Sequence, residues 1–134
     1  NSLPFGGIGR YSAYNCDAIA NLATDRMTLK VQLAPELVAE AGVFFLPDGV
    51  NTAAKLYTKD LSLPGFVSYA NMMPVGVRGK LIVVALDDNR YYLYHDDAFT
   101  IPAGTSNGSS REATLLIAPV EVPEAEFFAY MNAL

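Results

Sequence analysis

The only histidine of the chain, His95, stands in residues 80–97 (KLIVVALDDNRYYLYHDD) with four aspartates, Asp87, Asp88, Asp96 and Asp97. Imidazole and carboxylate are the side chains from which divalent-metal sites and acid–base pairs are built. Spacing argues against a shared ion. Neighbours on a strand point to opposite faces, so His95 and Asp96 diverge, and Asp87 and Asp88 lie at the far end of the segment from Asp96 and Asp97. A calcium loop starting at Asp87 fails as well, because Tyr91 and Tyr92 occupy the places of an oxygen ligand and the obligatory glycine. No metal ligand set and no cofactor is therefore assigned.

Residues 104–108 (GTSNG) match the G-x-S-x-G pattern of a hydrolase nucleophile elbow. That elbow needs a strand before the serine and a helix after it. Ser106 instead sits in a polar stretch that leads into an apolar, strand-like segment, and the single histidine precedes the serine where the elbow's fold places it afterwards. A Ser106–His95 hydrolase is disfavoured, and no catalytic residue is assigned. Cys16 has no sequence neighbour that would activate its thiol, so it reads as an inert buried residue. Gly6, Gly7 and Gly9 lack both the preceding strand and the following Lys-Ser/Thr of a phosphate loop. Residues 107–109 (NGS) fit a glycosylation acceptor and equally a turn. Tyr91, Tyr92 and Tyr94 beside acidic side chains offer stacking faces and hydroxyl-accepting carboxylates that suit a sugar, which makes Tyr92, Tyr94 and Asp96 the candidate ligand-binding residues. Cross-strand packing explains the same tyrosines equally well.

A hairpin must position these groups. Residues 81–86 are β-branched and aliphatic, 87–90 carry turn chemistry, and 91–95 are aromatic and strand-prone. With Asp88 and Asn89 central in the turn, Leu86 faces Tyr91, Val84 faces Leu93 and Ile82 faces His95. His95 then ends an apolar row as a partly buried structural residue. A three-residue turn would shift the register by one and set His95 against Val83 or its neighbour.

Elsewhere, Met27, Leu29, Val31 and Leu33 alternate with polar residues and predict a strand over 27–33. Pro35 and Gly42 bracket a short helix over 35–41. A buried strand at 43–46 closes at the Pro47-Asp48-Gly49 turn. Short strands are expected at 55–57, 65–69 and 98–101, a polar loop at 104–110, and a buried strand at 113–119. After Pro123, the residues Phe127, Phe128, Met131 and Leu134 recur at helical spacing, predicting a C-terminal helical segment over 123–134. Residues 1–10 (NSLPFGGIGR) lack periodicity and read as an extended arm. Together these elements predict one mainly β domain over 1–134, an antiparallel β-sandwich or barrel with one short internal helix and a short C-terminal helix.

Of the 134 residues, 51% are apolar and only 17% charged, with seven Phe and eight Tyr, which is the composition of a folded domain with a charge-poor surface. The net charge of −5 and the scattered Lys and Arg disfavour nucleic acid. No apolar run is long enough for a membrane span. One cysteine excludes an internal disulfide framework, and Asn1 reads as an N-terminus set by processing or engineering. A non-catalytic structural or assembly subunit of a symmetric oligomer or shell is expected, such as a virion, fibre or decoration-type component. Its partners would be copies of itself and other structural subunits, in a virion or an extracellular assembly. Leu3, Pro4 and Phe5 on the arm and Phe127, Phe128 and Met131 on the C-terminal helix are the candidate interface residues. The alternative is a small β-sandwich binding module for carbohydrate or another compact ligand.

Overall fold

The computed structural model describes residues 20–33, 40–49, 54–60, 67–108 and 110–133. A single 3-10 turn at Ala20–Leu22 precedes the strands β1 (Arg26–Leu33), β2 (Glu40–Pro47), β3 (Ala54–Asp60), β4 (Val67–Pro74), β5 (Arg78–Asp87), β6 (Arg90–Thr100), β7 (Thr105–Asn107), β8 (Ser110–Ile117) and β9 (Val120–Val122). Helix α1 (Glu124–Asn132) closes the series. The strands form a four-stranded sheet in the order β4-β1-β8-β7 and a five-stranded sheet in the order β3-β2-β5-β6-β9. The two are stacked like a sandwich and do not close into a barrel.

The apolar pattern explains the layering. In β1, Met27, Leu29, Val31 and Leu33 are buried while the residues between them are half-buried, the alternation of a sheet with one dry face. Those four meet Ala41, Val43 and Phe45 of β2 and Leu81, Val83 and Ala85 of β5 in the core between the sheets. The other face of the five-stranded sheet is also dry. Phe44, Leu46, Ile82, Val84 and Leu93 pack there against Phe127 and Met131 of α1. Strand β5 is thus covered on both faces, which is why its sequence is a continuous LIVVA run without polar alternation. Each large side chain fully buried in this way contributes about 1.5–3 kcal/mol relative to exposure.

Of the two registers open to the β5–β6 hairpin, the structure has that of the two-residue turn, with Leu86 opposite Tyr91, Val84 opposite Leu93 and Ile82 opposite His95. Asp88 (φ 48°) and Asn89 (φ 65°) both adopt the left-handed conformation, as a two-residue hairpin turn of the twist-matched kind requires. The C-terminal helix begins after Pro123, as its sequence predicts.

Other elements depart from expectation. Glu40 and Ala41 belong to strand β2, not to an internal helix; residues 34–39 lie outside the described residues. Strand β4 runs on to Pro74 instead of ending near Tyr69, and residues 98–100 continue β6 instead of forming a separate strand. The polar stretch at 104–110 contains β7, which pairs with the start of β8. Residues 113–119 are not one buried strand, since β8 ends at Ile117 and leaves Thr114 and Leu116 exposed on its outer face. Most pairs are antiparallel, but β1 and β8 are parallel, with Lys30 opposite Thr114 and Leu33 opposite Ile117. That pair joins residues about eighty apart in sequence, a contact that no local pattern announces.

Candidate functional site

His95, Asp97 and Tyr130 form a polar cluster where the hairpin meets α1. Residues 91, 93 and 95 share the face of β6 that α1 covers, because strand side chains alternate. Along that row Tyr91 packs on Phe127 with ring centroids 4.9 Å apart and on Phe128 at 5.5 Å. His95, next in the row, stacks on Tyr130 with centroids 4.2 Å apart and the rings 28° from parallel. Asp97 lies two residues further along the same face. His95 Nδ1 donates to Asp97 Oδ1 at 3.0 Å, and the Tyr130 hydroxyl donates to the same oxygen at 3.1 Å.

The electrostatics follow from that geometry. Partial burial pushes the Asp97 carboxyl up, but hydrogen bonds from His95 and Tyr130 and the charges of His95 and Lys80 outweigh it and hold the group below its ordinary value of 3.8. Its contribution to folding is therefore present above that value and is lost as the pH falls through the lower folded value. With 51% of the side chain exposed, solvent screening keeps this contribution small. Burial, the Asp97 charge and the hydrogen bond to Asp97 all push the Tyr130 phenol well above its ordinary value of 10.0. The folded chain keeps that proton after the unfolded chain has lost it, so stability is undiminished below pH 10.0 and declines as the pH rises beyond it. The melting temperature of Tyr130→Phe is expected to fall less than that of the wild type between about pH 9 and pH 11. Parallel declines in circular-dichroism melts would refute the assignment.

Chemically, a carboxylate-oriented imidazole can accept or deliver a proton. Here the same carboxylate oxygen also receives the Tyr130 hydroxyl, and the imidazole face lies against the phenol ring. The arrangement fastens the last turn of α1 to β6. Tyr130 escaped the sequence reading, although it follows Phe127 by three residues and so borders the same helical stripe. Among the described residues no group of three or more His, Cys, Asp or Glu is placed to hold a metal ion.

The sequence candidates fall in several places. Tyr92 and Tyr94 lie on the opposite face of β6, half-buried against the core between the sheets. Asp96 accepts a hydrogen bond from the backbone N–H of Ala98 at 3.1 Å, beside the register shift between Gly79 and Leu81. Phe127 and Met131 are buried under the five-stranded sheet and have no surface left for a partner. The apolar stripe expected to meet another molecule meets this chain's own sheet. Phe128 is half-buried beside Tyr91. Leu3, Pro4, Phe5, Gly6, Gly7, Gly9 and Cys16 lie outside the described residues. Ser106 lies on the short edge strand β7, its hydroxyl donating to the Gly108 carbonyl at 3.4 Å, whereas His95 faces α1 on the far side of the other sheet. The structure does not bring the two together.

No helix among the described residues is long and apolar enough to cross a membrane. Comparison with protein-family models, with curated proteins and with solved structures found no match in any of the three.

Proposed function

We propose that the chain is a non-catalytic structural subunit that assembles with copies of itself. One observation carries the reading. Leu116, exposed at 68%, is the most exposed large apolar side chain among the described residues, and among those residues its strand has no neighbour along most of one side. Val120, exposed at 61%, follows just beyond that strand's end. The unpaired N–H and C=O groups of an edge strand are a template for another chain, an exposed apolar side chain beside them adds surface to bury, and isolated folded chains usually disguise both. The charge-poor composition supports the same reading.

The C-terminal helix takes a different part from the one its sequence suggests. Removing residues 124–134 would strip Phe127 and Met131 from the face of the five-stranded sheet that α1 covers, so that truncation reports on folding, not on association. The direct test is sedimentation velocity of the full chain over a wide concentration range. Association that grows with concentration is expected. A single monomeric species up to the highest soluble concentration would overturn the proposal.

For the binding-module alternative, Tyr92 and Tyr94 lean on the core and Asp96 holds a backbone amide. No observation favours that alternative over packing.

A further inference from the structure

Among the described residues, the outermost strands of the two sheets differ in how they resist pairing. Strand β3 carries Lys55, Lys59 and Asp60. Strand β4 is kinked, since Asn71 and Met72 together oppose Thr28 of β1 and Met72 adopts a left-handed backbone (φ 64°). Strand β9 spans only Val120–Val122. On the outer side of β6, β9 pairs with residues 91–93 alone, and Asp96 and Asp97 stand on the remainder. Charge, kinking and brevity are the usual devices against unwanted strand pairing. Strand β8 has none of them beyond Glu112. Its residues 113–117 (ATLLI) are uncharged, and among the described residues β7 covers its outer side only as far as Glu112, which Thr105 opposes.

Resting on the assembly reading above, we infer that β8 is the contact between copies, pairing antiparallel with β8 of a second copy about a two-fold axis through Leu115. The boundaries of the open window set the centre. At one end β7 blocks the edge at Glu112, and at the other β8 stops at Ile117, before Ala118 and Pro119. An antiparallel partner of the same length fits between these limits in one register, with Ala113 opposite Ile117 and Leu115 opposite Leu115 of the second copy. Any slip drives one strand end into the other copy's β7 or leaves part of the window unpaired.

The side chains suit that register. Thr114 of one copy faces Leu116 of the other on the outer face, covering the most exposed leucine, while Ala113, Leu115 and Ile117 continue the apolar row that already packs between the sheets. No charge meets a like charge within the window. The same operation on β6 would bring Asp96 and Asp97 against their own copies, which is repulsive. A two-fold contact of this kind is closed and self-complementary, as subunit contacts in symmetric assemblies commonly are. A ladder this short covers less than the roughly 1,200 Å² at which specific interfaces begin. The pair therefore forms at high local concentration, as within a lattice, and dissociates on dilution.

The test uses the full chain in a Cys16→Ser background. Thr114→Cys and Leu116→Cys proteins are prepared separately, mixed at high concentration and treated with diamide, a mild thiol oxidant. The mixture is expected to give a disulfide-linked dimer at least about tenfold more abundant than either protein oxidised alone, because only the mixed pair places the two thiols opposite each other. In parallel, Leu116→Lys is expected to weaken association at least about tenfold while its circular-dichroism spectrum stays unchanged, since a lysine at this exposed site opposes pairing and not folding. If the wild type associates but Leu116→Lys associates equally well, or if the mixture cross-links no better than the separate proteins, the β8 contact is wrong and self-assembly stands by another surface. If the wild type remains monomeric throughout, both the contact and the assembly reading are overturned.

Discussion

Phe127→Ala is expected to lower the unfolding free energy by about 3–5 kcal/mol. The side chain is fully buried between α1 and the five-stranded sheet, where it packs with Phe44, Leu46, Ile82, Val84, Leu93 and Met131. Its ring also makes an edge contact with Phe128 at 5.3 Å and a tilted one with Tyr91 at 4.9 Å. Truncation removes the transfer free energy of the ring and leaves a cavity beneath a helix of nine residues, Glu124–Asn132, which is too short to hold its own conformation in water. The loss therefore spreads beyond the cavity. Hydrogen exchange in α1 is expected to quicken together with that of the His95 end of β6, because Tyr130 reaches His95 and Asp97 only while the helix is seated. Phe128→Ala is the control, since that ring is only half-buried, and a cost of about 1–2 kcal/mol is expected. The chain has no tryptophan, so urea unfolding is followed by far-ultraviolet circular dichroism. Equal losses in the two variants would show that α1 is not docked through Phe127.

Gly79→Ala is expected to cost about 3 kcal/mol, which is large for a single methyl group. Gly79 lies in β5 between Pro47 of β2 and Phe99 of β6, at the point where the β5–β6 register shifts. Its backbone does not require glycine. Space does, because a Cβ at this position would collide with the Leu46 carbonyl oxygen and stand 2.7 Å from the Cα of Pro47. Both are main-chain atoms of a paired strand, so β2 would have to move away from β5. Gly76 is the instructive comparison, with open space around its Cβ position but a φ of 86°. There an alanine meets only the left-handed backbone penalty, about 1–2 kcal/mol. If Gly79→Ala proves milder than Gly76→Ala in the same unfolding assay, the close approach of β2 to β5 at this point is wrong.

The features legible in the sequence are those whose cause is local. Asp88 and Asn89 accept positive φ, so the turn of the β5–β6 hairpin and the pairing of Ile82 with His95 follow from a few neighbouring residues. Period-two alternation in 27–33 announced a strand with one dry face, and Pro123 with Phe127 and Met131 announced a helix with an apolar stripe. Glu40 and Ala41 were misread because Pro35 and Gly42 carry helix start and stop signals, yet β5 pairs with both as strand residues. Pairing with a central strand overrides so weak a local preference. Ser106 is a different case, since five residues match a motif whose meaning lies in the strand and helix around it, and the sequence around Ser106 already lacks that context.

By itself, the sequence determined a mainly β chain, the place of one hairpin with two registers open to it, the position of its last helix and a composition poor in charge. The tertiary structure alone decided what each apolar stripe faces. Phe127 and Met131 would suit an intermolecular contact as well as an internal one, because burial is non-directional and rewards any apolar partner; the folded chain places its own sheet beneath them. It likewise decided that His95 is held between Asp97 and Tyr130, residues from a strand and a helix that no periodicity links. The parallel pairing of β1 with β8 was decided in the same way, and among the described residues it leaves the uncharged residues 113–117 with no strand on their outer side.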